Sequence, residues 1–315
     1  MFRYSLFDSV ICSDSELPEL ALLSPAVPIG VLLKVGFSAA VASPIPLQDT
    51  ELQPWRDDSD RVLQGRFGES ILIRVRALAD FVVQPAAASV QCRPGPGAHP
   101  FHVRHFLLNQ ALPRLVSFRD HLVIHASAVN TDCGGIGLIG ASGSGKSTLA
   151  AHYVQSGAAE LISDDGILVR QAGQSFRLVG AYACSRLRSD SVNAIGASEQ
   201  AMPGGPYGAK HALRVTSVQR SAPTRPVARA FFVLTQTQSD PRDIVVTPLT
   251  GFAAVMALIA NSFLLDPGDR RLVRGQFEAA ARLVQSGCPF YSLTYPRRFA
   301  DLPHVWARIR SALGG

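Results

Sequence analysis

The sequence has very little lysine: Lys34, Lys146 and Lys210 are the only three in 315 residues. Arginine supplies the rest of its 30 basic residues, and no basic run alternates with aromatic residues, so we expect no nucleic-acid-binding surface. The formal net charge of +6 still allows an acidic or phosphorylated partner. Because 47% of the residues are hydrophobic and only 17% are charged, the chain can bury a sizeable core, which excludes global disorder.

Cysteine and long apolar runs are also scarce. The five cysteines are Cys12, Cys92, Cys133, Cys184 and Cys288. Their odd number and wide spacing fit neither a disulfide framework nor a metal site, which favours a reducing compartment. The longest helical apolar stretch, Phe252 to Leu265, is too short to span a bilayer, and no signal-peptide core follows Met1. We therefore expect a cytoplasmic protein that has no membrane contact.

One motif stands out against this background. Residues Gly140–Ser147 read Gly-Ala-Ser-Gly-Ser-Gly-Lys-Ser and fit the pattern G-x-x-x-x-G-K-[ST]. The apolar run 135–139 predicts a buried strand before the motif, and 148–155 predicts a helix that ends at Gly157. Strand, glycine-rich turn and helix form the setting of a phosphate-binding loop. The alternative is a glycine-rich surface turn before an ordinary helix.

The residue types of this loop suit a nucleotide. Glycines let successive backbone amides point at one anion, and the helix that follows favours negative charge at its start. Lys146 would contact the β- and γ-phosphates, and the Ser147 hydroxyl would bind Mg²⁺. The predicted nucleotide-binding residues are Gly140, Ala141, Ser142, Gly143, Ser144, Gly145, Lys146, Ser147 and Thr148.

The pattern along the chain predicts two domains. We expect residues 1–90 to form a small, mostly β N-terminal domain and residues 91–315 to form the domain that carries the loop. The segment 85–100 is rich in Ala, Gly and Pro and is the best linker candidate. A strand over 121–129 and the strand 135–139 are expected to form a hairpin that leads into the loop, unlike a plain parallel βαβ start.

Asp164 and Asp165 form the second feature, at the end of the apolar strand that begins at Glu160. Carboxylates at a strand end beside a phosphate loop hold Mg²⁺ or activate a hydroxyl nucleophile. Adjacent residues of a strand point to opposite faces, so we expect only one carboxylate to face the nucleotide directly. The alternative is an Asp-Asp-Gly turn that only closes a hairpin.

Four more residues are candidates. His125 precedes the loop on a strand and is either a site residue or a core histidine. Lys210 lies in a glycine-rich loop and either meets the γ-phosphate or substrate or is solvated. Arg186 and Arg188 either clamp phosphates or an acidic substrate, or lie at a solvated helix start.

These residues together carry a family resemblance. His125, the phosphate loop, Gly157 and the Asp164–Asp165 pair resemble the catalytic core of HPr kinase/phosphorylase, over roughly residues 120 to 170. The chain lacks that family's Glu-x-Arg-Gly signature, which is linked to Mg²⁺ and to reverse phosphorolysis. Its segments 13–18 and 289–296 resemble those of HPr-kinase-like enzymes that tailor lasso peptides by phosphorylating the C-terminal serine of a precursor.

The resemblance implies a mixed α/β fold related to phosphoenolpyruvate carboxykinase, with a mixed-sheet core. It also implies ATP and Mg²⁺ as cofactors and a peptide or small protein with an acceptor serine as partner. Lys146 and the other loop residues would bind the phosphates, and Ser147 and Asp164 would hold the metal. Asp165 would accept the serine proton, and His125 would contact the acid pair or the reacting phosphate.

The leading hypothesis is an ATP-dependent serine kinase, with the C-terminal serine of a lasso precursor peptide as the favoured acceptor. Three alternatives stay open. They are an HPr-type serine kinase/phosphorylase of carbon regulation, an ATP-driven switch or transport ATPase, and a nucleotide-binding regulator without transfer activity. The sequence lacks the Leu-Ser-Gly-Gly-Gln signature of ABC-type motors. It leaves open whether the chain forms a homo-oligomer.

Overall fold

The computed structural model describes residues 1–20, 22–23, 31–38, 45, 47–54, 62–120, 122–181, 184–195, 201–202, 210–214, 225–235 and 242–314. Contacts divide the chain into two compact units. The first unit comprises Met1–His121 and Phe263–Val273, and the second comprises Leu122–Ser262 and Arg274–Gly315. The domain boundary expected near residue 90 stays a prediction, while the contacts divide the chain after residue 121.

The first unit is built on one eight-stranded sheet. Its strands are β1 (Phe2–Leu6), β2 (Ser9–Ser13), β3 (Val31–Phe37), β4 (Gln53–Pro54), β5 (Val62–Phe67), β6 (Ser70–Val75), β7 (Ala79–Gln84) and β8 (Ser89–Pro94). The strand order is β1-β2-β3-β8-β7-β6-β5-β4. Pairing is antiparallel except where β3 lies parallel to β2 and β8. Consecutive apolar residues are buried in β6 (Ile71–Ile73) and β7 (Phe81–Val83), so the middle of this sheet is covered on both faces.

The linker expected over 85–100 is wrong for its central part. Strand β8 pairs with both β3 and β7, and its side chains Val90 and Cys92 are buried in the core. Proline and glycine misled the prediction, because Pro94 only ends the strand and the turn that contains Gly97 follows it. Tertiary pairing thus overrides the local composition.

A helical stretch follows strand β8. It consists of α1 (Pro100–Phe106), a π-helical turn (Leu107–Ala111) and α2 (Leu112–Asp120). Pro113 has no N–H to donate, and the wider turn just before it accommodates this loss without a break.

The segment Phe263–Val273 returns to the first unit after a long excursion of the chain. The guanidinium of Arg114 lies 5.7 Å from the centre of the Phe263 ring, and Arg66 forms an ion pair with Asp266. Arg114 is fully buried, so these contacts fix the segment against the interior of the unit.

The second unit contains three sheets and the remaining helices. Its strands are β9 (Val123–Ile124), β10 (Ala126–Thr131), β11 (Gly134–Ile139), β12 (Glu160–Ser163), β13 (Ile167–Ala172), β14 (Ser175–Gly180), β15 (Cys184–Arg188), β16 (Ala201–Met202), β17 (Lys210–Arg214), β18 (Ala228–Leu234), β19 (Val245–Pro248) and β20 (Phe290–Thr294). Its helices are α3 (Lys146–Gln155), α4 (Ser189–Ala194), α5 (Gly251–Ala260), α6 (Arg270–Gln285) and α7 (Leu302–Ala312), except that the first four residues of α6 belong to the first unit.

The central sheet has six strands in the order β12-β10-β11-β18-β20-β19. Strands β10 and β11 form the expected antiparallel hairpin, whereas β11, β18 and β20 run parallel. The prediction of a mixed α and β fold is therefore confirmed. Two three-stranded sheets, β14-β13-β9 and β15-β17-β16, accompany it.

Helices cover both faces of the central sheet. On one face Phe231 stacks on Phe290 and packs with α5 and α6, and on the other Phe232 stacks on Tyr291 and packs with α3 and α7. The neighbouring residues Phe231 and Phe232 thus point to opposite faces of the sheet, and both faces are buried. Across the described ranges, no helix is both long and apolar enough to cross a bilayer.

Two local expectations are wrong in the second unit. Arg186, expected at a helix start, lies within strand β15, which precedes α4, and Lys210 begins strand β17 instead of lying in a loop. Both strands depend on pairing with each other, which the local sequence pattern does not reveal.

We predict that Phe231→Ala lowers the free energy of unfolding by about 3–5 kcal/mol, because this ring is fully buried between strand and helices. The matched control is Phe252→Ala on α5, whose side chain is 71% exposed and whose loss should cost less than about 0.5 kcal/mol. Urea unfolding of the full chain, followed by circular dichroism, measures both. Equal effects would contradict the layer assignment.

Candidate active site

The predicted phosphate loop, Gly140 to Ser147, joins the C-terminal end of β11 to the start of α3. Gly140 and Gly145 have φ angles of +150° and +94°, in the region that favours glycine. A Cβ on Gly140 would lie 2.7 Å from the carbonyl oxygen of Leu234, and one on Gly145 would lie 2.5 Å from Oη of Tyr295. The loop therefore requires glycine at both positions for steric and conformational reasons.

Lys146 is the first residue of α3, and its side chain turns back along the loop. Its Nζ donates to the carbonyl oxygens of Gly140 at 2.7 Å and Ala141 at 3.1 Å, and the residue is only 5% exposed. A buried ammonium needs such acceptors. Phosphate oxygens bound at the start of α3 would offer the same group stronger, charged acceptors.

Asp164 is a buried carboxylate that accepts hydrogen bonds from three serine hydroxyls. Ser127 on β10 and Ser147 on α3 donate to its Oδ1, the latter at 3.0 Å, and Ser185 on β15 donates to its Oδ2 at 2.8 Å. Asp164 is 2% exposed, so these donors replace the water that a carboxylate needs. Sequence analysis missed Ser127 and Ser185, because a lone serine in a strand carries no motif.

Asp165 follows directly but has a different environment. Its φ angle is +66°, in a left-handed turn conformation that aspartate tolerates better than most residues. Ser163, two residues earlier, holds the backbone around Asp165. Its hydroxyl donates to the carbonyl oxygen of Gly166 at 2.7 Å and accepts from the N–H of Ala181 at 3.1 Å. The Asp165 side chain keeps 24% of its surface exposed. The two carboxylates thus separate into a buried one and an accessible one.

His125 lies between β9 and β10 and faces Asp165. Its Nε2 is 3.8 Å from Oδ1 of Asp165, an ion pair when the ring is protonated and too long for a hydrogen bond. The backbone N–H of His125 donates to the carbonyl of Asn261 at 2.6 Å, which fixes the strand end. The structure therefore brings His125, Asp164, Asp165 and the phosphate loop together.

The remaining candidates are Thr148, Arg186, Arg188 and Lys210. Thr148 donates its hydroxyl to Ser191 at 3.2 Å, and Arg188 is exposed at the N-cap of α4. Arg186 lies on β15 and not at a helix start. The side chains of Arg186 and Lys210 lie outside what the structure describes, and Lys210 pairs with Arg188 only through the strand register.

The donor set fits Mg²⁺ bound together with phosphates. Across the described residues, no group of three or more His, Cys, Asp or Glu side chains is placed to hold a metal ion by itself. Magnesium keeps several waters and is held by one or two carboxylates plus substrate phosphates. Ser147 and Asp164, which already share a hydrogen bond, are the residues that would hold it.

Comparison with known proteins finds similarity among solved structures. No family model matches the chain, and no curated protein matches it. Among solved structures, the chain is similar to the Hpr(Ser) kinase/phosphatase from Coxiella burnetii, at 12% identity and a TM-score of 0.32. The match covers 61% of this chain and 99% of that one. The function proposed below rests on the geometry of the site and not on this match.

We predict that Gly145→Ala abolishes nucleotide binding, because its Cβ would collide with Tyr295 and Arg297 and the backbone would be strained. Gly157→Ala is the matched control: its φ is +74°, but nothing lies within 4 Å of the new Cβ. It should lower stability by about 1 kcal/mol and leave binding unchanged. Isothermal titration with Mg²⁺ and ADP compares the two. Normal binding by Gly145→Ala would show that the loop tolerates rearrangement.

Proposed function

We propose that this protein is an ATP- and Mg²⁺-dependent kinase that transfers the γ-phosphate to a serine hydroxyl of a peptide or small protein. One observation carries the proposal. Beside the phosphate loop, the buried carboxylate of Asp164 is tied to the loop serine Ser147, while the neighbouring carboxylate of Asp165 remains accessible. A kinase needs these two functions, one for the nucleotide and one for the acceptor.

The nucleotide would bind with its phosphates at the start of α3. Backbone N–H groups of the loop and Lys146 would contact the β- and γ-phosphates, and the helix dipole would add to the attraction. Ser147 and Asp164 would hold Mg²⁺, which supplies charge neutralisation at the phosphates when bound. Ser127 and Ser185 keep Asp164 in place for this role through their hydrogen bonds.

Asp165 is the residue that we assign as general base. It would accept the proton of the acceptor serine while the serine oxygen bonds to the γ-phosphorus and the bond to the β–γ bridging oxygen breaks. The products would be phosphoserine and ADP. A protonated His125 at 3.8 Å would stabilise the carboxylate and hold it in position. The partial exposure of the Asp165 side chain gives a substrate hydroxyl access to its carboxylate.

The acceptor belongs to the same proposal. We favour the C-terminal serine of a lasso precursor peptide, because the segments 13–18 and 289–296 resemble those of kinases that act on such peptides. Arg186, Arg188 and Lys210 are the cations we assign to an acidic group of the substrate or to its phosphate. Of these, Arg188 is exposed next to the hydroxyl contact between Thr148 and Ser191.

We predict that Asp165→Asn reduces phosphate transfer by about 100-fold or more, because the acceptor hydroxyl loses its base. Binding of Mg²⁺ and ADP should change less than about twofold, since the hydroxyl of the loop serine Ser147 donates to Asp164. Asp132→Asn, at the exposed turn of the β10–β11 hairpin, is the control for a lost negative charge. Mass spectrometry of candidate peptides after incubation with ATP measures transfer. Full turnover by Asp165→Asn would refute its role.

We predict that Asp164→Asn removes the gain in ADP affinity that Mg²⁺ gives the wild-type protein, because the amide replaces the metal-binding oxygen. Affinity for ADP in EDTA should change less than about threefold. Titrations with and without Mg²⁺ separate the two effects. If the variant kept the full magnesium effect, Asp164 would have no part in holding the ion.

A further inference from the structure

Three parallel strands of the central sheet end at the same edge as the phosphate loop. Strand β11 leads into the loop, β18 ends next to Thr235, and β20 is followed by Tyr295, Pro296 and Arg297. Because parallel strands bring their C-terminal ends together, residues far apart in sequence meet there. Arg297 is one of them, and no motif marked it.

Arg297 touches the loop itself. Its Nη1 donates to the carbonyl oxygen of Ser144 and lies 3.4 Å from Oη of Tyr295, and its Nη2 donates to the carbonyl of Thr235 at 3.4 Å. A Cβ on Gly145 would lie 2.8 Å from Nη1. The guanidinium therefore packs directly against the peptide that joins Ser144 to Gly145.

Tyr295 holds this arginine in place. The guanidinium carbon lies 4.8 Å from the centre of the Tyr295 ring, within the range of a cation–π contact. Tyr295 is only 4% exposed and packs in the core beneath α3 and α7. Burial raises the pKa of its hydroxyl, so that the group stays neutral beside the cation. The buried Tyr295 ring therefore gives the Arg297 guanidinium a rigid packing partner.

Because the peptide bond is planar, the contact between Arg297 and Ser144 also orients the N–H of Gly145. The carbonyl of Ser144 and the N–H of Gly145 belong to one peptide unit and point in opposite directions. Arg297 binds the carbonyl, so the N–H of Gly145 points away from Arg297. Phosphate loops bind anions through such N–H groups. We propose that Arg297 is a positioning residue that holds the phosphate loop in the conformation that binds a nucleotide polyphosphate.

This inference rests on the proposed function only in requiring a nucleotide at the loop. It assigns Arg297 to the di- and triphosphate part of the ligand and not to the base. An arginine that stacked on the base would contribute equally to AMP and ADP. An arginine that orders the loop contributes mainly to ligands whose phosphates reach the loop.

The test compares ADP and AMP binding, each with Mg²⁺, in the full-length protein and its variants. We expect Arg297→Ala to weaken ADP binding by about tenfold or more and AMP binding by less than about twofold, because the loop loses its preorganised form. Arg297→Lys and Arg297→Gln should both weaken ADP binding, since neither side chain has the planar guanidinium fork whose two nitrogens reach the carbonyls of Ser144 and Thr235. They also provide folded variants if the alanine variant is unstable.

Arg298→Ala is the matched control. It removes the same charge one residue later, from a side chain that is 64% exposed and paired with Asp301. Its ADP affinity should stay within about twofold of wild type. Wild-type ADP affinity in the Arg297 variants, equal losses for ADP and AMP, or equal losses in the Arg297 and Arg298 variants would each overturn the inference. A wild-type protein that bound no ADP would overturn the proposed function as well.

Discussion

A single buried carboxylate holds the parts of this site together. Asp164 accepts hydroxyls from the β10–β11 hairpin, from the first turn of α3 and from the small sheet that contains β15. Removing it would leave the buried hydroxyls of Ser127 and Ser185 and the half-buried hydroxyl of Ser147 without their acceptor, which costs more than each hydrogen bond contributes by itself. The carboxylate therefore links three separate elements at one point. Asp165, whose backbone adopts a left-handed conformation, remains the accessible acid.

The strand order of the central sheet explains why the loop, Ser127 and the acid pair lie close together. Strands β11, β18 and β20 are parallel and buried on both faces, so polar groups can gather at their C-terminal ends without disrupting the core. Strand β10 is antiparallel to both β11 and β12, so the start of β10, which carries Ser127, and the end of β12, which leads to the acid pair, lie at the same edge. A mixed sheet thus brings groups from both strand directions to one ligand position.

The loop could be predicted from the sequence because its chemistry is local. Glycines, Lys146 and Ser147 are consecutive, and their spacing requires a strand before and a helix after them. The acid pair and His125 could be predicted because they lie close to the loop in the sequence. Ser185 and Arg297 could not, since Arg297 meets Ser144 across 153 positions and only the strand order brings them together. Strand β8 was missed for a related reason, because its partners β3 and β7 decide its conformation and its own composition suggests a linker.

The return of residues 263–273 to the first unit affects any attempt to dissect the protein. A truncated chain that stops at residue 121 would lack Phe263 and Asp266, the residues that meet Arg114 and Arg66. Arg114 is fully buried, so the fragment would expose a cation that the intact chain keeps covered. Neither half is therefore a contiguous fragment, and autonomous folding would require the missing segment to be supplied as a graft or a separate peptide.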